Sequence, residues 1–146
     1  MTNALTTIAS PETPVLIVDD NTQYASVLTQ MLSRGMGYKD VTAVDSLDKA
    51  YELILGAPDR FQLLFVDFRF PDGQNGGQFL ERLSRKKLLS GKVAFLITSE
   101  PTIENQKQAI GAGARGVVAK PFDRKQLAEQ LEKAERSILA DQTDSF

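Results

Sequence analysis

The sequence predicts one α/β domain in which helices cover both faces of a five-stranded parallel sheet. Five short apolar runs alternate with five segments whose apolar residues recur at helical spacing, which is the pattern of such a sheet. The first, third and fourth runs are almost purely apolar, as expected of strands that are buried on both faces. The length of 146 residues suits one well-buried core and is too short for two ordinary domains.

The apolar runs also predict the order of the strands. The second and fifth runs, VTAV and GVVA, are shorter or more mixed than the others, so we place them at the sheet edges. With right-handed crossovers, the doubly wound order 2-1-3-4-5 satisfies this and creates a switch point between strands one and three, where ligands bind in such sheets. The predicted strands are Val15–Val18, Val41–Val44, Phe61–Val66, Val93–Ile97 and Val117–Ala119.

The five helices are predicted from apolar residues that recur every three or four positions. Three of them are expected near residues 46–56, 77–89 and 102–112. The first helix is predicted from Tyr24, Val27, Leu28, Met31 and Leu32, which recur at this spacing. The last helix is predicted in the same way from Leu127, Leu131, Ala134 and Ile138.

The two ends of the chain carry no such pattern. We expect residues 1–13 to form a flexible leader, residues 14–139 to form the domain, and residues 140–146 to form a flexible polar tail. Because only this tail follows the domain, we expect the protein to act through another protein. The sequence leaves open whether the chain is part of a longer regulator.

Composition and charge exclude several classes of function. With 42% apolar and 25% charged residues, the chain has the composition of a soluble globular protein. A net charge of -2 and scattered basic residues argue against direct nucleic-acid binding. The apolar runs fall far short of the roughly 20 residues that span a bilayer. The first ten residues lack the pattern of a secretion signal, so we expect no membrane insertion and a cytoplasmic location.

The sequence contains neither cysteine nor histidine. This excludes disulfides, thiolate or imidazole metal sites, nucleophiles that depend on a histidine base, and a phosphohistidine carried by this chain. The remaining chemistry must use carboxylates, hydroxyls, lysine and a hard cation.

Four of the predicted strands end in side chains that could carry such chemistry. Asp19 and Asp20 follow strand one, Asp67 follows strand three, Thr98 follows strand four and Lys120 follows strand five. Each has an ordinary explanation when taken alone: Asp20 could cap the next helix, and the lysine could extend into solvent. Because the carboxyl ends of parallel strands share one edge of a sheet, we expect the whole set to converge on one site.

Three neighbouring carboxylates would repel one another unless a cation neutralised them. Oxygen ligands without histidine or cysteine favour a hard ion, and Mg²⁺ suits a site that awaits a phosphate oxygen. A carboxylate beside Mg²⁺ and a lysine is a plausible nucleophile toward phosphorus and would form an acyl phosphate. A threonine hydroxyl could donate a hydrogen bond to a phosphoryl oxygen.

These features resemble the response-regulator receiver domain, the phosphoacceptor half of two-component signalling, over residues 14 to 138. The resemblance rests on the acidic pair, on Pro71 four residues after Asp67, and on the 22-residue interval from Thr98 to the Lys120-Pro121-Phe122 triplet. It implies a flavodoxin-like fold and a cis Lys120-Pro121 bond. It also implies a switch that catalyses only its own phosphorylation and dephosphorylation.

The resemblance further implies roles for individual residues. Asp67 would take a phosphoryl group from a sensor histidine kinase or a histidine phosphotransfer protein. Asp20, Asp67 and the backbone carbonyl of Arg69 would ligate Mg²⁺, with Asp19 acting through water. Lys120 would pair with the carboxylate, and Thr98 would couple the chemistry to helix four, strand five and helix five. On that face, family members meet effector proteins or a second copy of themselves.

The sequence departs from the family pattern at two places, and two charged residues beside the site are also notable. Val117 replaces the usual aromatic residue three positions before the lysine, so the usual coupling to Thr98 is in doubt. The expected glycine after Pro71 is displaced to Gly76, which lengthens a loop that we interpret as a tight turn. Arg69 and Glu100 flank the site, and we hypothesise that they pair across it and hinder the water that would hydrolyse the acyl phosphate.

Two other functions are weighed against this one. An aspartyl-phosphate hydrolase of the haloacid-dehalogenase type needs a second aspartate two residues after the nucleophile as general acid, and position 69 is arginine. A scaffold that binds partners without being phosphorylated is compatible with Val117, but the intact acidic, threonine and lysine positions argue against it.

Overall fold

The computed structural model describes residues 8–144, with side chains described through residue 140. It contains five strands, β1 (Val15–Val18), β2 (Val41–Val44), β3 (Leu63–Asp67), β4 (Val93–Thr98) and β5 (Gly116–Ala119). All four strand pairs are parallel, and the order is β2-β1-β3-β4-β5. The predicted order and both edge strands are thus confirmed.

Five helices accompany the strands, as predicted: four connect successive strands and the fifth follows β5. They are α1 (Thr22–Gln30), α2 (Leu47–Gly56), α3 (Gly76–Arg85), α4 (Ile103–Ala112) and α5 (Arg124–Asp144), and a π-helical turn over Met31–Gly35 continues α1. Between residues 8 and 144, no helix has both the length and the apolar character needed to cross a membrane.

The core consists of two layers, one on each face of the sheet. Side chains alternate along β3, so that Leu64 and Val66 enter one layer while Leu63 and Phe65 enter the other. The first layer packs against α2, α3 and α4, and the second packs against α1 and α5. This two-sided cover explains why the central strands are apolar at nearly every position.

The N-terminal segment differs from the expected flexible leader. Ile8 is 1% exposed and belongs to the α1/α5 layer. Its amide donates to Glu135 Oε1 at 2.9 Å, and its carbonyl accepts from the Tyr38 hydroxyl at 2.5 Å. Residues 8–13 are therefore packed on the domain, because a buried isoleucine and two hydrogen bonds hold them. Residues 1–7 of the expected leader lie outside the described residues.

Several further boundaries differ from the prediction. Strand β3 spans Leu63–Asp67 where Phe61–Val66 was expected, β4 extends to Thr98, and β5 begins at Gly116. Helix α5 continues through Asp144, where a polar tail was expected from residue 140, and residues 145–146 lie outside the described residues. Helix α3 ends at Arg85 and not at residue 89. Lys87 has a positive φ of 59°, and the Leu88 amide donates to the Leu83 carbonyl at 2.8 Å, which closes the helix.

Candidate functional site

The register of the sheet places the predicted acidic residues side by side. Val18 pairs with Val66, so that Asp19 and Asp67 follow as the next pair at the carboxyl edge. Strand alternation gives Asp19, Asp67 and Lys120 the same face of the sheet, because each lies two positions after a residue of the α1/α5 layer. Those preceding core residues are Ile17, Phe65 and Val118.

Lys120 is the cation at the centre of this cluster. Its Nζ lies 2.9 Å from Asp19 Oδ2 and 3.1 Å from Asp67 Oδ2, and its side chain is 10% exposed. The contact with Asp67 has the geometry of a hydrogen bond, whereas the contact with Asp19 is an ion pair without that geometry. Burial acts to lower the pKa of Lys120, but the neighbouring carboxylates of Asp19 and Asp67 outweigh it and raise that pKa.

Asp67 experiences a net excess of negative charge in spite of this lysine. Burial and the charge of Asp19 raise the pKa of Asp67 to about 6, and Lys120 offsets these effects only in part. The carboxylate is thus held in a setting that disfavours its charged form. An additional positive charge would relieve this.

The three aspartates fit a hard divalent cation. One carboxylate oxygen from each of Asp19, Asp20 and Asp67 lies within 4.8 Å of the others. Asp19 Oδ1 accepts from the Asn21 amide at 2.9 Å, while its buried Oδ2 has no hydrogen-bond donor among the described residues. Asp20 is exposed and does not cap α1, because the side chain of Asn21 does so. An all-oxygen set of this kind suits Mg²⁺.

The loop after β3 is a short hairpin. The Gly76 amide donates to the Phe68 carbonyl at 2.8 Å, and the Phe70 amide donates to the Gln74 carbonyl at 3.1 Å. These bonds flank Arg69, which leaves its own carbonyl outside the hairpin ladder. The Gly73 amide closes a tight turn onto the Phe70 carbonyl at 3.2 Å, with φ of 81° at the glycine. The interpretation of this segment as a tight turn is confirmed.

Gly76 brings the start of α3 against the backbone of β3. A Cβ at this position would overlap the Asp67 carbonyl oxygen. The displaced glycine of the sequence is therefore a packing requirement at the residue that carries the candidate nucleophile.

Thr98 lies at the neighbouring strand end. Its carbonyl accepts from the Lys120 amide at 2.9 Å, and its side chain is buried. The Thr98 Oγ1 atom accepts from the Glu100 amide at 3.0 Å. The structure thus brings Asp19, Asp67 and Lys120 into direct contact and places Thr98 beside them.

The other positions singled out in the sequence lie around this cluster. Arg69 Nη2 is 3.7 Å from Glu100 Oε1, so the hypothesised pair is present, with both side chains largely exposed. Val117 is buried in the layer beneath α4 and presents no ring to the site. The Lys120-Pro121 bond is cis, as expected from the resemblance.

Sequence reasoning missed the role of two aromatic residues. Tyr24 was assigned to the apolar face of the first helix, but Lys120 Nζ lies over its ring, 4.4 Å from the centroid. The ring also meets Phe122 edge-on, with centroids 5.8 Å apart and an angle of 86°. The position of Tyr24, one helical turn after Asp20, could have indicated that it borders the site.

Comparisons with known proteins agree with this geometry. The family described as response regulator receiver domain matches residues 15–132. The transcriptional regulatory protein ZraR of Salmonella typhimurium is 32% identical in an alignment of 124 residues that covers 82% of this chain and 26% of ZraR. The chain therefore spans about a quarter of ZraR. The chemotaxis protein CheY of Pseudomonas aeruginosa is 27% identical over 119 residues, covering 82% of this chain and 93% of CheY.

A solved structure supports the same fold. The receiver domain of Ssk1 from Saccharomyces cerevisiae, crystallised with the histidine phosphotransfer signaling protein Ypd1, matches with a TM-score of 0.71 at 17% identity. The match covers 83% of this chain and 87% of that chain. With the family match over most of its length and the acidic cluster at the carboxyl edge of its sheet, this chain belongs to the response regulator receiver domains of two-component signalling.

Proposed function

We propose that the chain accepts a phosphoryl group on Asp67 and that the resulting change of charge alters its contacts with another protein. The position of Asp67 carries this proposal. Its carboxylate shares a cluster of oxygen atoms within 4.8 Å with Asp19 and Asp20, and Lys120 Nζ bonds to its Oδ2 atom at 3.1 Å. This cluster of residues thus combines a candidate nucleophile, a candidate cation site and a fixed ammonium.

Mg²⁺ would be held by Asp20, Asp67 and the backbone carbonyl of Arg69, with Asp19 acting through a water molecule. When bound, the ion would supply positive charge beside the carboxylates and the phosphoryl oxygens. The buried Asp19 Oδ2 without a hydrogen-bond donor supports this assignment, as does the raised pKa of Asp67. The positive charge of Lys120, which contacts both Asp19 Oδ2 and Asp67 Oδ2, offsets only part of the negative charge of the three carboxylates.

In the transfer step, a carboxylate oxygen of Asp67 attacks the phosphorus of a phosphohistidine. The new O–P bond forms as the N–P bond breaks, and the imidazole nitrogen keeps the bonding electron pair. The Lys120 ammonium offsets the charge on the phosphoryl oxygens. The Thr98 oxygen already accepts from the Glu100 amide, so that its hydroxyl proton can be donated to a phosphoryl oxygen.

The phosphohistidine must belong to another protein, since this chain has no histidine. A sensor histidine kinase or a histidine phosphotransfer protein suits this role and would meet this chain in the cytoplasm, in line with the complex of the Ssk1 receiver domain with Ypd1. An effector protein or a second copy of the chain would meet the face formed by α4, β5 and α5. Ile103 and Ile110, 74% and 57% exposed and seven residues apart on α4, support this surface.

Incubation with Mg²⁺ and acetyl phosphate tests the proposal. We expect one phosphoryl group per chain by intact mass, no adduct after Mg²⁺ is chelated, and none in Asp67→Asn. The matched control is Asp72→Asn, an exposed aspartate of the same loop, which should retain the adduct. Repeated rapid turnover of the donor would instead favour a hydrolase.

The second candidate is a scaffold that binds partners without being phosphorylated. Val117 favours it, because this buried position holds no aromatic group that could reorient with the site. Absence of any adduct on the folded wild-type chain would support the scaffold and contradict the proposal.

A further inference from the structure

The ring of Tyr24 contacts the Lys120 ammonium, which also contacts two carboxylates. Two sides face Asp19 Oδ2 at 2.9 Å and Asp67 Oδ2 at 3.1 Å, and the ring centroid of Tyr24 lies 4.4 Å from Nζ. A cation over a ring face is attracted by the negative charge density of that face, the more so when water is largely excluded. The side chain of Lys120 is 10% exposed, which meets this condition.

Two contacts fix the position of Tyr24, one made by its backbone and one by its ring. Its backbone amide donates to the capping side chain of Asn21 at 3.0 Å, which fixes the first turn of α1 directly after the acidic pair. Its ring makes a T-shaped contact with Phe122, two residues beyond Lys120, at a centroid distance of 5.8 Å. The first turn of α1 and the loop between β5 and α5 are therefore joined through two rings that border the lysine.

Resting on the proposed function, we infer that Tyr24 is a positioning residue that holds the Lys120 ammonium between Asp19 and Asp67, and that its ring changes environment when Asp67 is phosphorylated. A phosphoryl group adds negative charge and extends the side chain of Asp67, so the ammonium must adjust to it. The ring stacked on that ammonium, and Phe122 behind it, must adjust in turn. Val117 contributes no ring on the α4 side of β5, so the aromatic residue that responds to the site is Tyr24, on the α1 side of the sheet.

A kinetic experiment tests the positioning role. The rate of adduct formation from acetyl phosphate with Mg²⁺ is measured for the wild-type chain, Tyr24→Phe and Tyr24→Leu. We expect Tyr24→Leu to slow the reaction by about 3- to 10-fold, the size that a partly desolvated cation–π contact implies. Tyr24→Phe keeps the ring face and should stay within about 2-fold of wild type, because the attraction does not depend on the hydroxyl.

The matched control is Tyr51→Leu. Tyr51 carries a similar contact, with Arg82 at 3.8 Å from its ring centroid, but it lies on α2 away from the acidic cluster. This variant should phosphorylate at the wild-type rate. An equal loss of rate in Tyr24→Leu and Tyr51→Leu would indicate a general structural effect and overturn the inference.

Tyrosine emission tests the change of environment. The chain has three tyrosines and no tryptophan, so that Tyr38→Phe with Tyr51→Phe leaves Tyr24 as the single fluorophore. We expect its emission to change when acetyl phosphate is added in the presence of Mg²⁺, and to stay constant in the same chain with Asp67→Asn.

The outcomes separate this inference from the proposed function. If the wild-type chain forms no adduct, the proposed function fails and the inference fails with it. If the adduct forms while Tyr24→Leu keeps the wild-type rate and the emission of Tyr24 does not change, the inference alone is overturned.

Discussion

At the scale of single residues, the site is a cluster of negative charge that one lysine only partly neutralises. Asp67 is buried beside Asp19, and Lys120 bonds to one of its oxygens. Because the pKa of Asp67 is raised, the folded state binds a proton at this group more tightly than the unfolded chain does. The charged form of Asp67 therefore lowers the stability of the folded state.

Asp67→Asn should stabilise the protein in the absence of Mg²⁺. The contribution of Asp67 to stability is fully present below its unfolded pKa of 3.8 and is lost as pH rises through the folded value of about 6. Above that pH, the free energy of unfolding of the variant should exceed that of the wild type by roughly 1–3 kcal/mol, and its urea midpoint should be higher. This gain should vanish below pH 4. Urea unfolding at pH 4, 6 and 8 measures this.

Asp45→Asn is the control with the opposite sign. The hydrogen bond and charge of Lys49 lower the pKa of Asp45. Removing the charge of Asp45 should therefore leave the stability of the protein unchanged or reduce it. A loss of stability in Asp67→Asn at pH 8 would contradict the assigned charge balance.

The pair of Arg69 and Glu100 should slow hydrolysis of the acyl phosphate. Its atoms are 3.7 Å apart on the two loops that flank the site, so either Arg69→Ala or Glu100→Ala should open a path for water. Exposed pairs contribute about 0–1 kcal/mol, so the lifetime of the adduct should fall by up to about 5-fold. Decay of the adduct after removal of the donor gives the lifetime.

Arg136→Ala is the matched control for this pair. It breaks an exposed pair with Glu132 of 3.0 Å on α5 and should leave the lifetime unchanged. Unchanged lifetimes in both Arg69→Ala and Glu100→Ala would refute the shielding role.

At the scale of elements, the carboxyl edge of the sheet is positioned by strand register and by one glycine. The pairing of Val18 with Val66 fixes Asp19 beside Asp67, and the contact of Gly76 with the Asp67 carbonyl fixes α3 against β3. Because these restraints act on the backbone, the site is well defined even though the loop that follows it is polar and exposed.

Gly76→Ala should disturb both folding and the site. The added Cβ would overlap the Asp67 carbonyl, which implies a loss of roughly 1–3 kcal/mol in stability. Gly111→Ala is the matched control, because this glycine lies in α4 and an added Cβ would meet no atom within 4 Å. The control should be neutral or more stable by up to about 1 kcal/mol. Equal urea midpoints for the two variants would contradict this packing.

The elements also show what sequence patterns could and could not predict. The three central strands were located correctly, although β3 begins two residues later than predicted and includes Asp67, because apolar runs buried on both faces leave few alternatives. The end of α3 was placed too late because Leu88 and Leu89 continue the apolar pattern, yet they pack against the core from the turn that follows the helix. Periodicity reports burial, and it does not distinguish a helical residue from a buried residue in a turn.

At the site, strand-end positions indicated Asp19, Asp20, Asp67 and Lys120, because parallel strands share one carboxyl edge. Reasoning from strand ends did not indicate Tyr24. An aromatic residue at helical spacing is usually core, and only the three-dimensional path of the Lys120 side chain brings the ammonium over its ring.

At the scale of the whole molecule, the segment before β1 joins distant elements. Ile8 contacts the α1/α5 core and bonds to Glu135 on α5 and to Tyr38 before β2. A single isoleucine in a polar stretch gives no periodic pattern, which explains why the sequence suggested a flexible leader here.

Ile8→Ala should therefore destabilise the whole domain. Removal of a fully buried isoleucine side chain costs roughly 2–5 kcal/mol. Leu55→Ala is the control, because Leu55 is 53% exposed on α2 and should change stability little. Thermal unfolding of both variants compares them, and equal midpoints would show that the segment is not part of the folded domain.

The central claim is that Asp67 itself becomes the acyl phosphate. Borohydride reduces an acyl phosphate of aspartate to homoserine, so that the modified residue can be located by peptide mass spectrometry after loading with acetyl phosphate and Mg²⁺. We predict homoserine at position 67 and unmodified aspartate at positions 19, 20 and 72. Homoserine at another position, or its absence from position 67 in a chain that carries a phosphoryl group, would contradict the claim.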